Sequence, residues 1–465
     1  MASLGGLVSL AGSPVAAETA IWSAGKLLGS LLETIDATHI DAAVAALQSA
    51  LKHPQPKVAA AACVAIHDCS QGVGQQAADP LGPRLGQLFD AMTEAAKRED
   101  ALEHDLAQTA LMGLISVIEV AGPEAESAVL RSMLNRICEW VVELLPPDGA
   151  AGSSYNLETS QKVLLRHVWT TLPALIPLCS AYLAESPGVA EAIVQHALRV
   201  LHNESLGMQD DGMEVISILA VTMEERIVPF ASQIIPCIHA CIQDASNVQV
   251  CLASLNLLED LASFAASSNS ASLMETTPLL LHHLTDDQVD KSLKPKLLAV
   301  LSVIAISLPE AFLPNLQPTL AAITQASKLT EGCEPEDEDD AEMVHELNSA
   351  LLEMYTSLLQ AYSGQAGPLD ILRQVLGDML ELANRIASSA TGDGDEEAVF
   401  NAGCLIGDAC QAFGAAMKPY LEQPLILALR VQFETAATAS GDSMRMEQLR
   451  WVKQQTGMVM ASEEG

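Results

Sequence analysis

The chain has 465 residues, 49% of them hydrophobic and 18% charged, which is too apolar for a disordered protein and long enough to bury a large core. Its 59 acids against 23 bases leave a net charge of −36, a field that repels phosphate backbones and argues against nucleic acid as a partner, while favouring basic peptides or basic protein surfaces. Aromatics make up 3%, and Ala, Leu and Ser dominate, so helices packed through small residues are expected rather than a β-sandwich built on β-branched and aromatic pairs. The acidity would equally keep an Ala/Leu-rich surface soluble.

Residues 1–18, "MASLGGLVSLAGSPVAAE", join an apolar stretch to small residues in the manner of a signal peptide, but no Lys or Arg precedes Lys26. A poorly defined N-terminal segment is expected there. No run of about 18 apolar residues is present to span a bilayer, so the expectation is a soluble intracellular protein without membrane insertion. From 19 to 458 apolar residues recur at helical spacing, broken by Pro, Gly, Asp or Asn, with a short tail at 459–465.

In "AIWSAGKLLGSLL" (20–32), Trp22 falls off the Ala20/Leu27/Leu31 stripe, about 140° from Leu27 on a helical wheel. A large aromatic on a surface strip is a candidate for stacking on Arg or Lys; an indole tucked against a neighbouring repeat is the alternative. "AACVAIHDCSQGV" (61–73) repeats the pattern, with Val64 in register with Trp22. Trp140 and Trp169 lie on apolar stripes with Ile137 and Val141, and with Leu165 and Leu172, and are expected in the core. "LLPPDGAAGSSYN" (144–156) reads as a loop. The ten cysteines mostly sit in apolar helical stretches, as small buried hydrophobes in a reducing compartment do. "CIHAC" (237–241) groups two thiols with His239 but lacks the second ligand pair of a zinc site, and no cofactor is expected.

Apolar pairs ending at Leu219, Leu258, Leu301, Leu359 and Ile406 are spaced by 39, 43, 58 and 47 residues, with a second apolar helix between each. Two helices per unit of roughly 40–47 residues is the arithmetic of HEAT repeats, so the fold expected is all-α, a right-handed superhelical α-solenoid of about ten helix pairs. The long interval contains "EGCEPEDEDDAE" (331–342), whose eight acids and Pro335 predict an exposed loop. "ASSATGDGDEEA" (387–398) predicts another.

"NLLEDLASFA" (256–265) and "GCLIGDACQAFG" (403–414) place Asp260 and Asp408 at matching positions. On the wheel Val399, Ile406, Cys410 and Phe413 share one side, and Asn401, Asp408 and Gln411 the other, so both aspartates are expected on an unburied strip lining the concave surface. Trp451, in "EQLRWVKQQTG", lies on a last helix whose stripe is too poor to orient it. His282-His283 and Asp286-Asp287 are expected at a helix end and loop. No phosphate loop, nucleophile elbow, zinc-protease or dinucleotide motif is present, so an enzyme is not expected.

The segments "ETAIWSAGKLLGSLL", "VQVCLASLNLLEDLA", "SLKPKLLAVLSVIAISL", "MVHELNSALLEMYTSLLQAY", "NAGCLIGDACQAFG" and "EQLRWVKQ" follow one another as do segments in the C-terminal half of importin β, a member of the karyopherin β family, which the chain resembles over about 19–458. The resemblance implies a receptor shuttling between cytoplasm and nucleus through the nuclear pore. It implies that acids and tryptophans of the concave face hold the basic importin-β-binding helix of importin α. Trp22 and Trp451 match family tryptophans that stack on that ligand, whereas Val64 stands where the family has another Trp. Asp260 and Asp408 match concave-face acids by register. The resemblance further implies binding of phenylalanine-glycine nucleoporins in clefts between outer helices, within about 205–330. It also implies weak or absent Ran-GTP binding, because the family's N-terminal half lies outside this chain. The residues alone also permit an acidic HEAT scaffold of another complex, such as a phosphatase.

Overall fold

The computed structural model describes residues 14–31, 37–73, 82–121, 127–146, 158–330, 338–389 and 396–462; among them every regular element is a helix and no strand occurs. The chain divides into two compact units, Met1–Glu224 and Glu225–Gly465. Each is a two-layered run of HEAT-type helix pairs.

The first unit holds α1 (Pro14–Leu31), α2 (Ala37–Leu51), α3 (Pro56–Val73), α4 (Leu85–Ala96), α5 (Leu106–Glu119), α6 (Ser127–Leu144), α7 (Thr159–Trp169), α8 (Leu172–Leu178), α9 (Ser180–Glu185), α10 (Pro187–Leu201) and α11 (Gln209–Met223). Helices α1, α3, α5, α7–α8 and α11 form one layer; α2, α4, α6 and α10 form the other. Small residues let the layers close up. A Cβ on Gly25 would stand 2.5 Å from the Ala65 Cα, and one on Gly29 would stand 2.7 Å from the Asp68 carbonyl oxygen, so α1 and α3 touch backbone to backbone. This contact is what the Ala- and Gly-rich composition is for.

The buried stripe of α1 is Ala17, Ile21, Ala24 and Leu28, whereas Leu27 is exposed, which corrects the stripe expected from the wheel. Apolar residues surround α1 on all sides, and only the glycine face against α3 decides which are covered. Trp140 and Trp169 are in the core as expected, at 3% and 1% exposure. The Trp169 indole N–H donates to the Asp211 carbonyl at 2.9 Å, tying α7 to α11.

The second unit holds α12 (Val228–Gln243), α13 (Val248–Thr285), α14 (Leu293–Ser307), α15 (Pro309–Phe312), α16 (Leu316–Ser327), α17 (Glu338–Ala361), α18 (Ala366–Gln374), α19 (Leu376–Ser389), α20 (Glu396–Phe413), α21 (Lys418–Leu421), α22 (Pro424–Ser440) and α23 (Ser443–Ala461). The first half of α13, then α14, α17, α20 and α23, stack side by side; α12, α16, α19 and α22 back them. Asn247 and Asp442 start α13 and α23 by accepting backbone N–H bonds from Val250 and Met444. Element α13 spans 38 residues and consists of two helices that meet end to end across a kink at Asn269 (φ −126°, ψ 23°), with no loop between them. The buried Lys294 closes its far end, donating to the Leu284 and Asp286 carbonyls at 2.9 and 3.1 Å. Burial pushes that ammonium below its ordinary pKa. His282 and His283 stack in the last turn of α13, with Asp286 at its end.

All five anchors of the repeat, Leu219, Leu258, Leu301, Leu359 and Ile406, are buried at 1% exposure or less. The loops differ from expectation at their edges. Residues 338–342 are helical and form the start of α17; 331–337 lie outside the described residues. The loop expected at 387–398 is helical at both ends, with 390–395 outside the described residues, as are 147–156 of the loop expected at 144–156. Helix α1 begins inside the segment 1–18, at Pro14, and α23 reaches Ala461.

Candidate functional site

Three stacked helices of the second unit, α17, α20 and α23, enclose a groove of about 550 Å³. Each contributes a stripe at helical spacing: Glu353, Thr356 and Gln360; Asn401, Cys404 and Asp408; Gln448 and Trp451. A stack of helices turns such stripes into one continuous polar wall.

Asp408 lies at the bottom. It is 7% exposed, against the expectation of an unburied strip. The apolar half of the wheel is correct, with Val399, Ile406, Cys410 and Phe413 all buried. The error is geometric: the opposite face of α20 is not solvent but is flanked by α17 and α23. The Gln360 Nε2 amide donates to both Asp408 oxygens, at 3.3 Å each. Burial pushes the Asp408 carboxyl up to about 6, and that hydrogen bond only partly offsets it. Beside it, burial and the Asp408 charge push the Cys404 thiol up to about 12, so it is no nucleophile. Asn401 donates to the Ser349 hydroxyl at 2.9 Å and to Glu353 at 3.3 Å, pinning the groove's upper edge.

The half-buried Trp451 forms the far wall, and Gly407 makes room for it. A Cβ at 407 would stand 2.5 Å from the indole and 2.9 Å from Val452. Gly407→Val should therefore force α20 and α23 apart, at a cost of about 1–3 kcal/mol for overpacking. A urea unfolding midpoint equal to wild type would show that the indole has space to retreat.

Two of the four sequence candidates thus share one site, Asp408 and Trp451. Asp260 is half-buried on α13, where its neighbour Glu259 pairs with Lys296 of α14. Trp22, 49% exposed, belongs to the first unit. One turn either side of it, Glu18 pairs with Lys57 and Lys26 with Asp68 at 3.0 and 2.8 Å, so its surroundings are of mixed charge rather than a ribbon of acids. Asn401 had been placed on the strip with Asp408, but Gln360 and Glu353 escaped the sequence reading; their helical spacing on α17 was the available signal.

Within 205–330 the exposed large apolar side chains among the described residues are Val221, Ile306 and Leu313, while a closer-set run, Leu425, Leu427 and Val431, stands on α22. No cluster of three or more His, Cys, Asp or Glu suited to a metal ion occurs among the described residues. None of their helices is long and apolar enough to cross a membrane.

The sequence matches the family described as "Importin subunit beta-1-like, TPR repeats" over residues 40–432. Importin subunit beta-1 of Arabidopsis thaliana is 21% identical over 455 residues, which is 94% of this chain and 50% of the relative. The protein of that name in Schizosaccharomyces pombe is 21% identical over 249 residues, 53% of this chain and 28% of its own. Among solved structures, importin β crystallised in ammonium sulfate superposes with a TM-score of 0.82 at 18% identity, covering 99% of this chain and 53% of that one. The Kap95:Nup1 complex gives 0.76 at 17% identity, covering 99% and 52%. The chain spans half the length, or less, of the curated relatives it matches.

Proposed function

Because the chain belongs to the importin subunit beta-1-like family, we propose that it acts as a nuclear transport receptor, or as the adaptor-binding half of one, and that the groove between α17, α20 and α23 takes a basic side chain from the importin-β-binding helix of importin α. One observation carries this reading. A buried carboxylate, Asp408, has no ion-pair partner among the described residues and opens into a groove walled by an indole. An incoming cation would meet the carboxylate through charge-assisted hydrogen bonds and the Trp451 face through its π-system. Outside the groove, the net charge of −36 steers basic segments toward the surface. Asp260 is proposed as a further contact for basic segments within the second unit, and Trp22 as a separate contact for them on the first. Nucleoporin binding and shuttling between cytoplasm and nucleus belong to the same proposal, supported by the fold shared with Kap95 in its complex with Nup1.

The test is a titration of the protein with a Lys/Arg-rich helical peptide. Raising salt from about 0.1 M to about 1 M cuts the screening length from ~10 to ~3 Å, so affinity should fall by about tenfold or more. Trp451→Ala should weaken binding by about two- to thirtyfold, the worth of a cation stacked on an indole. A salt-independent affinity that ignores Trp451→Ala would sink the proposal, and the acidic-scaffold reading would take its place.

A further inference from the structure

The groove holds a detail that a general acidic surface does not require. Gln360 is exposed on α17, yet its amide nitrogen lies directly in front of Asp408, at the same 3.3 Å from both carboxylate oxygens. Both bonds are long for a charged acceptor. A donor equidistant from two carboxylate oxygens occupies the place taken by the fork of a guanidinium, whose two N–H groups reach one oxygen each.

Resting on the reading of this groove as a cation-binding surface, we infer that Asp408 and Gln360 form a guanidinium-selective subsite, in which an arginine side chain displaces the Gln360 amide and competes with a proton for the carboxylate. The cavity is large enough for the planar group, and Trp451 on its wall offers the flat face on which guanidinium stacks. An ammonium reaches both oxygens only from one nitrogen, with the same long bonds that Gln360 makes, whereas a guanidinium gives each oxygen its own N–H and lies flat on the indole.

Proton competition follows from the surroundings. On its own helix Asp408 faces Cys404; from α17 it faces Gln360, with Glu353 further along the groove; from α23 come the neutral Gln448 and Trp451. Of the cations on the surrounding helices, Arg445 lies over the ring of Phe400 on the groove wall and Arg450 is exposed on α23 beside Trp451, while Arg373 lies over Phe413, Arg430 contacts Thr456, Lys453 pairs with Glu434, and Arg385 bonds Ser327 and Thr330; none forms an ion pair with Asp408. With its pKa raised to about 6 by burial, the carboxyl is ionised at pH 7.5 and nine-tenths protonated near pH 5, which withdraws up to about tenfold of any affinity that depends on the carboxylate. Once protonated, one oxygen becomes a donor and the two-pronged acceptor is lost.

Two helical peptides test this, identical except that every basic position is Arg in one and Lys in the other. Each is titrated against wild type, Asp408→Asn, Gln360→Ala and Trp451→Ala at about pH 7.5 and about pH 5. Expected is a several-fold preference of wild type for the Arg peptide at the higher pH, shrinking with its affinity at the lower. Asp408→Asn should lose both the preference and most of the pH dependence. Gln360→Ala should bind the Arg peptide as well as wild type or better. Equal affinity for the two peptides, an unchanged pH dependence in Asp408→Asn, or a loss in Gln360→Ala overturns the inference while leaving the groove a binding site. Binding that ignores both Asp408→Asn and Trp451→Ala removes the groove reading and the inference with it.

Discussion

Trp140→Ala is expected to lose about 3–5 kcal/mol of stability, the cost of emptying a buried aromatic site. The indole is 3% exposed among Leu134, Ile137 and Val141 on α6, and the Lys97 ammonium covers it at 4.6 Å from the ring centroid. Trp22→Ala is the contrast: at 49% exposure it should unfold close to wild type while weakening a basic peptide by the several-fold to about thirtyfold that a cation–π contact supplies. Urea unfolding of both variants beside a peptide titration separates the roles. If Trp22→Ala proves as unstable as Trp140→Ala, the exposed indole is a packing residue and its proposed contact fails.

Asp408→Asn is expected to stabilise the protein at neutral pH. The folded pKa of about 6 lies above the ordinary carboxyl value of 3.8, because burial penalises the charged form more than the Gln360 hydrogen bond offsets it. The sign follows from linkage. The raised group contributes its full stability below about pH 4, where it is protonated folded or unfolded, and that contribution is lost as pH rises through about 6. At pH 7.5 the ionised carboxylate therefore costs about 3 kcal/mol, taken as about two pKa units at 1.36 kcal/mol each. The asparagine keeps the shape and an acceptor for Gln360 without the charge. Its unfolding midpoint should exceed wild type at pH 7.5 and converge with it near pH 4. A variant no more stable at pH 7.5 would mean that water or a counter-ion already solvates Asp408.

The repeat was legible because its signal is redundant: five anchors at similar intervals each mark a helix whose core face is fully covered. Trp140 and Trp169 were legible for the same reason, sitting in the middle of strong stripes. Asp408 was misplaced because a wheel sees one helix, and its burial is decided by the helices before and after it in the stack. In α1 the apolar residues encircle the helix, so Leu27 looked interior until the Gly25 and Gly29 contact with α3 fixed the buried side. Gln360 sits at a readable helical spacing on α17, but its role could not be read, since it depends on a carboxylate 48 residues away.

The kink at Asn269 changes how one joint of the second unit can bend. There the two helices within α13 meet end to end, with a single residue out of helical geometry in place of a connecting loop. Any change of angle between them has to be taken up at that residue, which makes this joint stiffer than one spanned by a loop.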